Sequence, residues 1–429
     1  MKALGAALLA LVPLAAAADV VAIRGGRIVT VAGPVIEKGT VVVTGGKITA
    51  VGAAVEVPAG ATVIDATGQT VYPGLIDGLT TLGLTEIGSV PGSVDTTETG
   101  DVNPHAEAWI AVNPHSDLLP VARANGITAA LAAPAGGLVS GQSALLRLAG
   151  TTPEALTVKT PVAIHMVYPT GRAAFDISRL FEEPELKTFE ERQKERKRSQ
   201  EKDLRRLGNL LEEARAYGAA QAAARSGRIP PPKPDLPMQA LAPVSRGEVP
   251  VVMRVDAEED IRGAVKFAEE HALKLIVAGG LEAWRVADLL NQKDVAVLVS
   301  VDRLPRRESD PYDAAYANPA ALQRAGVRFA IVSDDASQSR NLPYEAAMAR
   351  AFGLDADAAL RSITLSPAEI FGVADRMGAI VPGHDADLFV ATGDIMDPRS
   401  EVTHVLIDGR EQSLQTRHTR LYEEFKKRP

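Results

Sequence analysis

The chain has no cysteine, which excludes disulfides, thiolate metal sites and a cysteine nucleophile. A lipid anchor attached through a cysteine is excluded with them. It also lacks a basic surplus: 46 Lys and Arg stand against 54 Asp and Glu, a formal net charge of −8. Binding along a phosphate backbone needs the opposite balance, so no nucleic-acid partner is expected. Beyond residue 18 no apolar run is long enough to span a bilayer. No G-x-G-x-x-G follows the first strand-like run, which weakens a dinucleotide reading. No G-x-S-x-G elbow or Ser-His-Asp order offers a serine hydrolase.

What is present suits a large α/β protein. With 429 residues, 46% of them hydrophobic, the chain can fill a barrel-sized domain and a smaller one. Residues 1–18, MKALGAALLALVPLAAAA, carry one Lys, a short apolar core, and Ala16 and Ala18 placed before Asp19. That pattern predicts a cleaved secretory signal and a periplasmic or secreted protein with no membrane attachment afterwards; an uncleaved anchor is the alternative.

VVAIRGGRIVTVAG, TVVVTGGKITAVG and ATVIDATGQTVYPG are β-branched runs separated by Gly pairs, the texture of meandering strands. It returns near the other end in GAIVPGHDADLFVATGD and VTHVLIDGREQ. The two ends, residues 19–70 and 378–415, are expected to pair as one composite β-sandwich domain, followed by a tail at 416–429. Between them, apolar runs such as ITAALAAP, PVAIHMVY, VPVVMRVD, LKLIVAGG, VAVLVS and VRFAIVSDD alternate with helical patterns. Near-continuous apolar strands with intervening helices predict a parallel sheet covered on both faces, and the repeat count suits a TIM-like (β/α)8 barrel over 71–377. An open doubly wound sheet is the runner-up. A charged helical insertion is expected at about 179–247, its first half EERQKERKRSQEKDLRR solvated, its second half docked through Leu204, Leu207, Leu211 and Ala214. A partner-binding arm is the alternative reading of that charge run.

PGLID at residues 73–77, RANGITAAL, SRNLPYEAAMARAFGL and the ending LSPAEIFGVADRMGAIVPGHDADLFV occur together and in order. In these features the chain resembles the amidohydrolase superfamily, particularly its imidazolonepropionase-related branch. The resemblance implies hydrolysis of a non-peptide, cyclic amide-like C–N bond, with zinc or another divalent metal as cofactor. It also implies two imidazoles after PGLID, at positions occupied here by Leu79 and Thr81, and two more at Arg254 and about Gly279. No metal ligand is therefore expected, and a guanidinium at one ligand position would repel a divalent cation. The resemblance places the remaining catalytic candidate at Asp335, with Asp334 one register away and a turn-capping role for Asp335 as the bland alternative.

Four residues are candidates for substrate binding: Arg254; His165, on a strand pattern; Gln142, in a Gly-rich loop also readable as a plain turn; and Arg340 in SRNLPYE. His105 and His115, in two NPH triplets, match no compact ligand pair. Two functions follow as expectations: an amidohydrolase weakened or inactivated by loss of its metal, or a metal-free ligand-binding scaffold. The partner expected is a small-molecule ligand at the barrel mouth; a homo-oligomer is left open. Arg254 is expected to face Asp335 as a charge pair replacing the metal.

Overall fold

The computed structural model describes residues 19–170 and 188–428. The expected signal sequence lies outside the described residues, as does the start of the charged insertion. Five strands open the fold: β1 (Val20–Ile28), β2 (Ile36–Thr44), β3 (Lys47–Gly52), β4 (Thr62–Asp65) and β5 (Thr70–Pro73). The inserted region supplies β6 (Leu75–Thr80), β7 (Ile127–Ala132), β8 (Val139–Gln142), β9 (Ala144–Arg147), β10 (Thr157–Lys159), β11 (Ile164–Val167), β12 (Val251–Val255), β13 (Leu275–Gly279), β14 (Ala296–Val299) and β15 (Phe329–Ile331). The chain then returns with β16 (Leu388–Ala391), β17 (Val402–Ile407) and β18 (Arg410–Glu411).

The two chain ends do pair, with β16 lying antiparallel to β5. All eight terminal strands join one sheet in the order β18-β17-β16-β5-β1-β2-β3, with β4 branching from β1. The cause is local. The register of β1 against β2 shifts on both sides of Gly26, and Gly25 has φ +80°, so the first half of β1 pairs with β4 and the second with β5. Ile23, Ile28, Val41, Val43, Val71, Leu388 and Leu406 form the core of this sheet. Arg147 on β9 ties the insert to it by pairing with Asp385 and, at 3.2 Å, with Asp387, which gives the HDADL stretch a structural use.

The insert has a mixed α/β organisation. One sheet has the order β10-β9-β7-β6 and another β15-β14-β13-β12-β11-β8. β6 and β7 are parallel, and so are β11 through β15. The expected uninterrupted parallel repeat is broken at Val139–Arg147. Its first half, β8, runs antiparallel to β11, and its second half, β9, antiparallel to β7. That bent segment links the two sheets. Their other edges meet where the Asp334 amide donates to the Leu79 carbonyl at 2.9 Å.

Strand alternation divides the apolar residues into two layers. Val252, Ile276, Ala278, Ala296, Leu298, Ala330 and Val332 pack together on one face. Val251, Met253, Val277, Val297, Val299, Phe329 and Ile331 face the helices. Helix Glu258–His271 illustrates the second contact: Ile261, Ala264, Val265, Phe267 and Ala268 are buried at helical spacing, three acidic residues occupy its first turn, and Ala272 ends it at φ +55°. Burying its Ile, Val and Phe side chains stabilises the packing by about 1.5–3 kcal/mol each.

The insertion contains a 37-residue helix, Phe189–Arg225, begun by a capping box between Thr188 and Glu191. Residues 190–199 are exposed, whereas Leu207, Leu211 and Ala214 are buried. The solvated stretch runs on to Arg206, which stays exposed while pairing with Asp101 at 3.3 Å, and burial begins at Leu207. The docked half rests on helix Leu236–Ser245 and donates from Arg215 to the His271 carbonyl at 3.1 Å.

Candidate functional site

The alternation that buries Val252, Leu298 and Val332 brings the next residues of the same parity to the strand ends: Arg254, Ser300 and Asp334. His165 on β11 faces the same space. Two cavities meet there. One, of about 290 Å³, is lined by Leu79, Thr81, Pro134, Ser140, His165, Val252, Ala278 and others. The second, of about 210 Å³, is lined by Asp256, Gly279, Leu281, Ser300, Arg303 and Val332. Arg254 and Asp334 belong to both walls.

Asp334 is the anionic centre. Arg254 grips it with two bonds, Nη1 to Oδ2 at 2.8 Å and Nη2 to Oδ1 at 2.5 Å, and Arg303 adds Nη2 to Oδ2 at 2.8 Å. This is the bidentate fork that a planar guanidinium offers a carboxylate. The Asp334 side chain is 11% exposed, the two arginines 44% each. Burial pushes the Asp334 pKa up, but the bonds to Arg254 and the charges of both arginines outweigh it and hold the carboxyl below its ordinary value. It is consequently ionised and a weak base.

The expected Arg254–Asp335 pair is not formed. Asp335 is exposed, and its Oδ1 accepts from the Ser337 amide at 2.8 Å, the Ser337 hydroxyl at 2.5 Å and the Gln338 amide at 3.1 Å. It shapes the turn. Parity decides between the two aspartates: Ala330, Val332 and Asp334 share the inner face, so Asp335 points away. The same count along the strand could have selected Asp334.

Of the other candidates, only His165 shares the cavity with Arg254. It is 6% exposed, and its Nε2 has no hydrogen-bond partner among the described residues. Burial first, and the Arg254 charge second, press its pKa down to about 3, so the ring is neutral at physiological pH. Gln142 spends its side-chain amide on the Pro104 carbonyl at 3.0 Å, fixing a loop. Arg340 is exposed and lines neither cavity; its carbonyl accepts from Asn125. His105 and His115 are exposed and absent from both walls.

Beneath the site lies a buried polar cluster that the sequence did not single out. Asp77, fully buried, accepts from the Ser333 hydroxyl at 2.5 Å and the Ser333 amide at 3.1 Å. Thr80 and Ser339 share a bond of 2.8 Å beside it. Burial raises Asp77 to about 6. Glu345, whose carboxylate takes the Val301 amide at 3.4 Å, is raised to about 8 by burial and then by the Asp77 charge.

The donor set does not fit a divalent metal. Leu79 offers no donor atom, Thr81 only a neutral hydroxyl, and Arg254 brings a positive charge already committed to Asp334. Gly279 sits at φ +91°, and a Cβ there would collide with Asp256 Oδ1. Among the described residues no group of three or more His, Asp or Glu could hold a metal ion. A larger cavity, about 510 Å³, opens beside Lys274, Leu275, Val295 and Ala296, at the opposite ends of the same strands. None of the unpartnered buried polar atoms lies in its lining.

Comparison with known proteins gives these strands a family. Residues 248–411 match the model of the amidohydrolase family. A relative, amidohydrolase tasK of Hapsidospora irregularis, is 25% identical in an alignment 381 residues long that covers 83% of this chain and 38% of the relative. The chain therefore spans well under half the length of that curated protein. The crystal structure of an amidohydrolase from Thermotoga maritima MSB8 superposes with a TM-score of 0.79 at 27% identity, covering 91% of this chain and 99% of the other. Molinate hydrolase has the same fold at 16% identity, with a TM-score of 0.56 and coverage of 93% and 95%. With the ordered motifs, these matches support the amidohydrolase superfamily as the family of this chain.

Proposed function

We propose that this chain is a metal-free member of its superfamily that binds a small molecule between the two cavities, with hydrolysis of amide-like C–N bonds weak or lost. We further propose that the two inserted sheets close into a (β/α)8-like barrel in which the bent segment Val139–Arg147 replaces one parallel strand. The ligand then enters at the mouth formed by the strand ends.

The observation that carries the reading is the bidentate bond of Arg254 to Asp334. In metal-assisted hydrolysis, a cation lowers the pKa of its water from 15.7 to about 7 and polarises the carbonyl. A guanidinium cannot ligate water in that way, and it also suppresses the basicity of the neighbouring carboxylate. General-base catalysis contributes about 10²–10⁴-fold when the base has a pKa near the working pH. The depressed Asp334 pKa argues against it in that role. Export by the residue 1–18 leader, giving a periplasmic or secreted protein, completes the proposal.

The test is elemental analysis of purified protein, alone and after incubation with zinc or manganese, beside turnover of a panel of cyclic amides and N-acyl compounds. Expected are no stoichiometric metal and no chelator-sensitive hydrolysis. One equivalent of tightly held zinc with chelator-sensitive amide cleavage sinks the reading. The T. maritima protein supports the shared scaffold; the activity of this chain is decided by its own strand-end residues.

A further inference from the structure

The site contains more unsatisfied hydrogen-bonding capacity than a structural ion pair explains. The Asp334 carboxylate accepts from two guanidiniums, Arg254 and Arg303. Among the described residues, Arg303 spends a single side-chain donor, Nη2, on that carboxylate. Asp256 lines the same cavity, but its carboxylate is engaged by the Leu281 amide and countered by Arg306 as well as Arg254. Beside Arg303, the Ser300 hydroxyl is buried, 4% exposed, and unpartnered. Across the Arg254–Asp334 pair, the neutral His165 ring leaves Nε2 unpartnered in the other cavity.

Buried polar groups without partners forfeit the hydrogen bonds they make to water in the unfolded chain, so two of them flanking one ion pair mark a place built for a guest. The guest's chemistry follows from the walls. The cavity of about 210 Å³ presents a guanidinium edge and a hydroxyl, two donors suited to carboxylate oxygens. The cavity of about 290 Å³ is mostly apolar, with Leu79, Pro134, Met166, Val252 and Ala278, and offers one uncharged ring nitrogen. Both volumes lie at or below the small end of ligand pockets, about 300–1,000 Å³. We infer that the site takes a small organic carboxylate, its charged end against Arg303 and Ser300 and its compact body, with one hydrogen-bonding group, against His165. This rests on the metal-free reading, because a metal at the strand ends would claim the same carboxylate.

The probe is 3-hydroxybutanoate, compared with its neutral counterpart 3-hydroxybutanamide, by isothermal titration and by NMR shift perturbation of the full chain. The acid is expected to bind at least about tenfold more tightly than the amide, equivalent to 1.4 kcal/mol. Arg303→Gln should remove that preference, and Ser300→Ala should weaken the acid several-fold. Both variants should keep the native circular dichroism, since Arg254 still holds Asp334. Equal binding of acid and amide, acid affinity unchanged in Arg303→Gln, or no response to the acid at tens of millimolar overturns the inference. Its failure is separable from failure of the metal-free reading. A metal-free protein indifferent to the acid sinks this inference alone, whereas stoichiometric zinc with chelator-sensitive hydrolysis sinks the reading beneath it.

Discussion

The Arg254–Asp334 bond can be weighed by a double-mutant cycle with Asp334→Asn, Arg254→Met and the double variant. Asp334→Asn removes the charge from an 11% exposed side chain that accepts three hydrogen bonds. Hydrogen bonds to charged groups contribute about 1.5–3 kcal/mol net when buried. Exposed ion pairs contribute about 0.2–1 kcal/mol. With both guanidiniums 44% exposed and free to hydrate, the expected cost is about 2 kcal/mol, below the 3–5 kcal/mol of a fully buried pair. Arg254→Met should cost somewhat less, because Arg303 still partners Asp334. The double variant should cost less than the sum, by about 1 kcal/mol or more. Urea unfolding at pH 7 and at pH 3 supplies the readout. The folded pKa of Asp334 is depressed, so its contribution is present above the unfolded value, about 3.9, and is lost as pH falls through the folded value. The native protein should lose stability in that acid window more steeply than Asp334→Asn. Strict additivity at pH 7, or identical acid limbs, refutes the pair as a stabilising unit.

Four further outcomes are expected. Restoring imidazoles with Leu79→His and Thr81→His should give no stoichiometric zinc by elemental analysis and no amide hydrolysis. Adding Gly279→His to that double variant should lower Tm further, because residue 279 needs φ +91° and the new side chain meets Asp256. Glu345 and Asp77 have folded pKa values raised to about 8 and about 6, so the folded state holds protons that the unfolded state releases; Tm should fall between pH 5 and pH 8, and fall less in Glu345→Gln. Deleting residues 192–198, about two turns of the exposed helical stretch, should leave Tm within about 2 °C in a thermal melt, since surface ion pairs contribute little; unfolding on deletion would reveal a buried contact.

The family was legible because it rests on short-range order: PGLID, PAEIFGV and the HDADLFV run are contiguous words, and strands and helices declare themselves by period. The meeting of the two chain ends was legible for the same reason, since both carry the same Gly-punctuated β texture. The absence of metal-ligating side chains at Leu79, Arg254 and Gly279 was likewise a matter of residue identity at positions the motifs had fixed. Tertiary structure decided what identity could not. Whether Asp334 or Asp335 meets Arg254 depends on which of two adjacent side chains shares the inner face, and one residue of register reverses the answer. Arg303 and Ser300 come from the loop after β14, a segment with no motif, and reach the site only because that strand ends beside Arg254 and Asp334. The bend that splits Val139–Arg147 between two sheets and the branch at Gly25 and Gly26 are likewise choices of hydrogen-bonding partner. A sequence names its donors and acceptors; only the packed chain determines which of them meet.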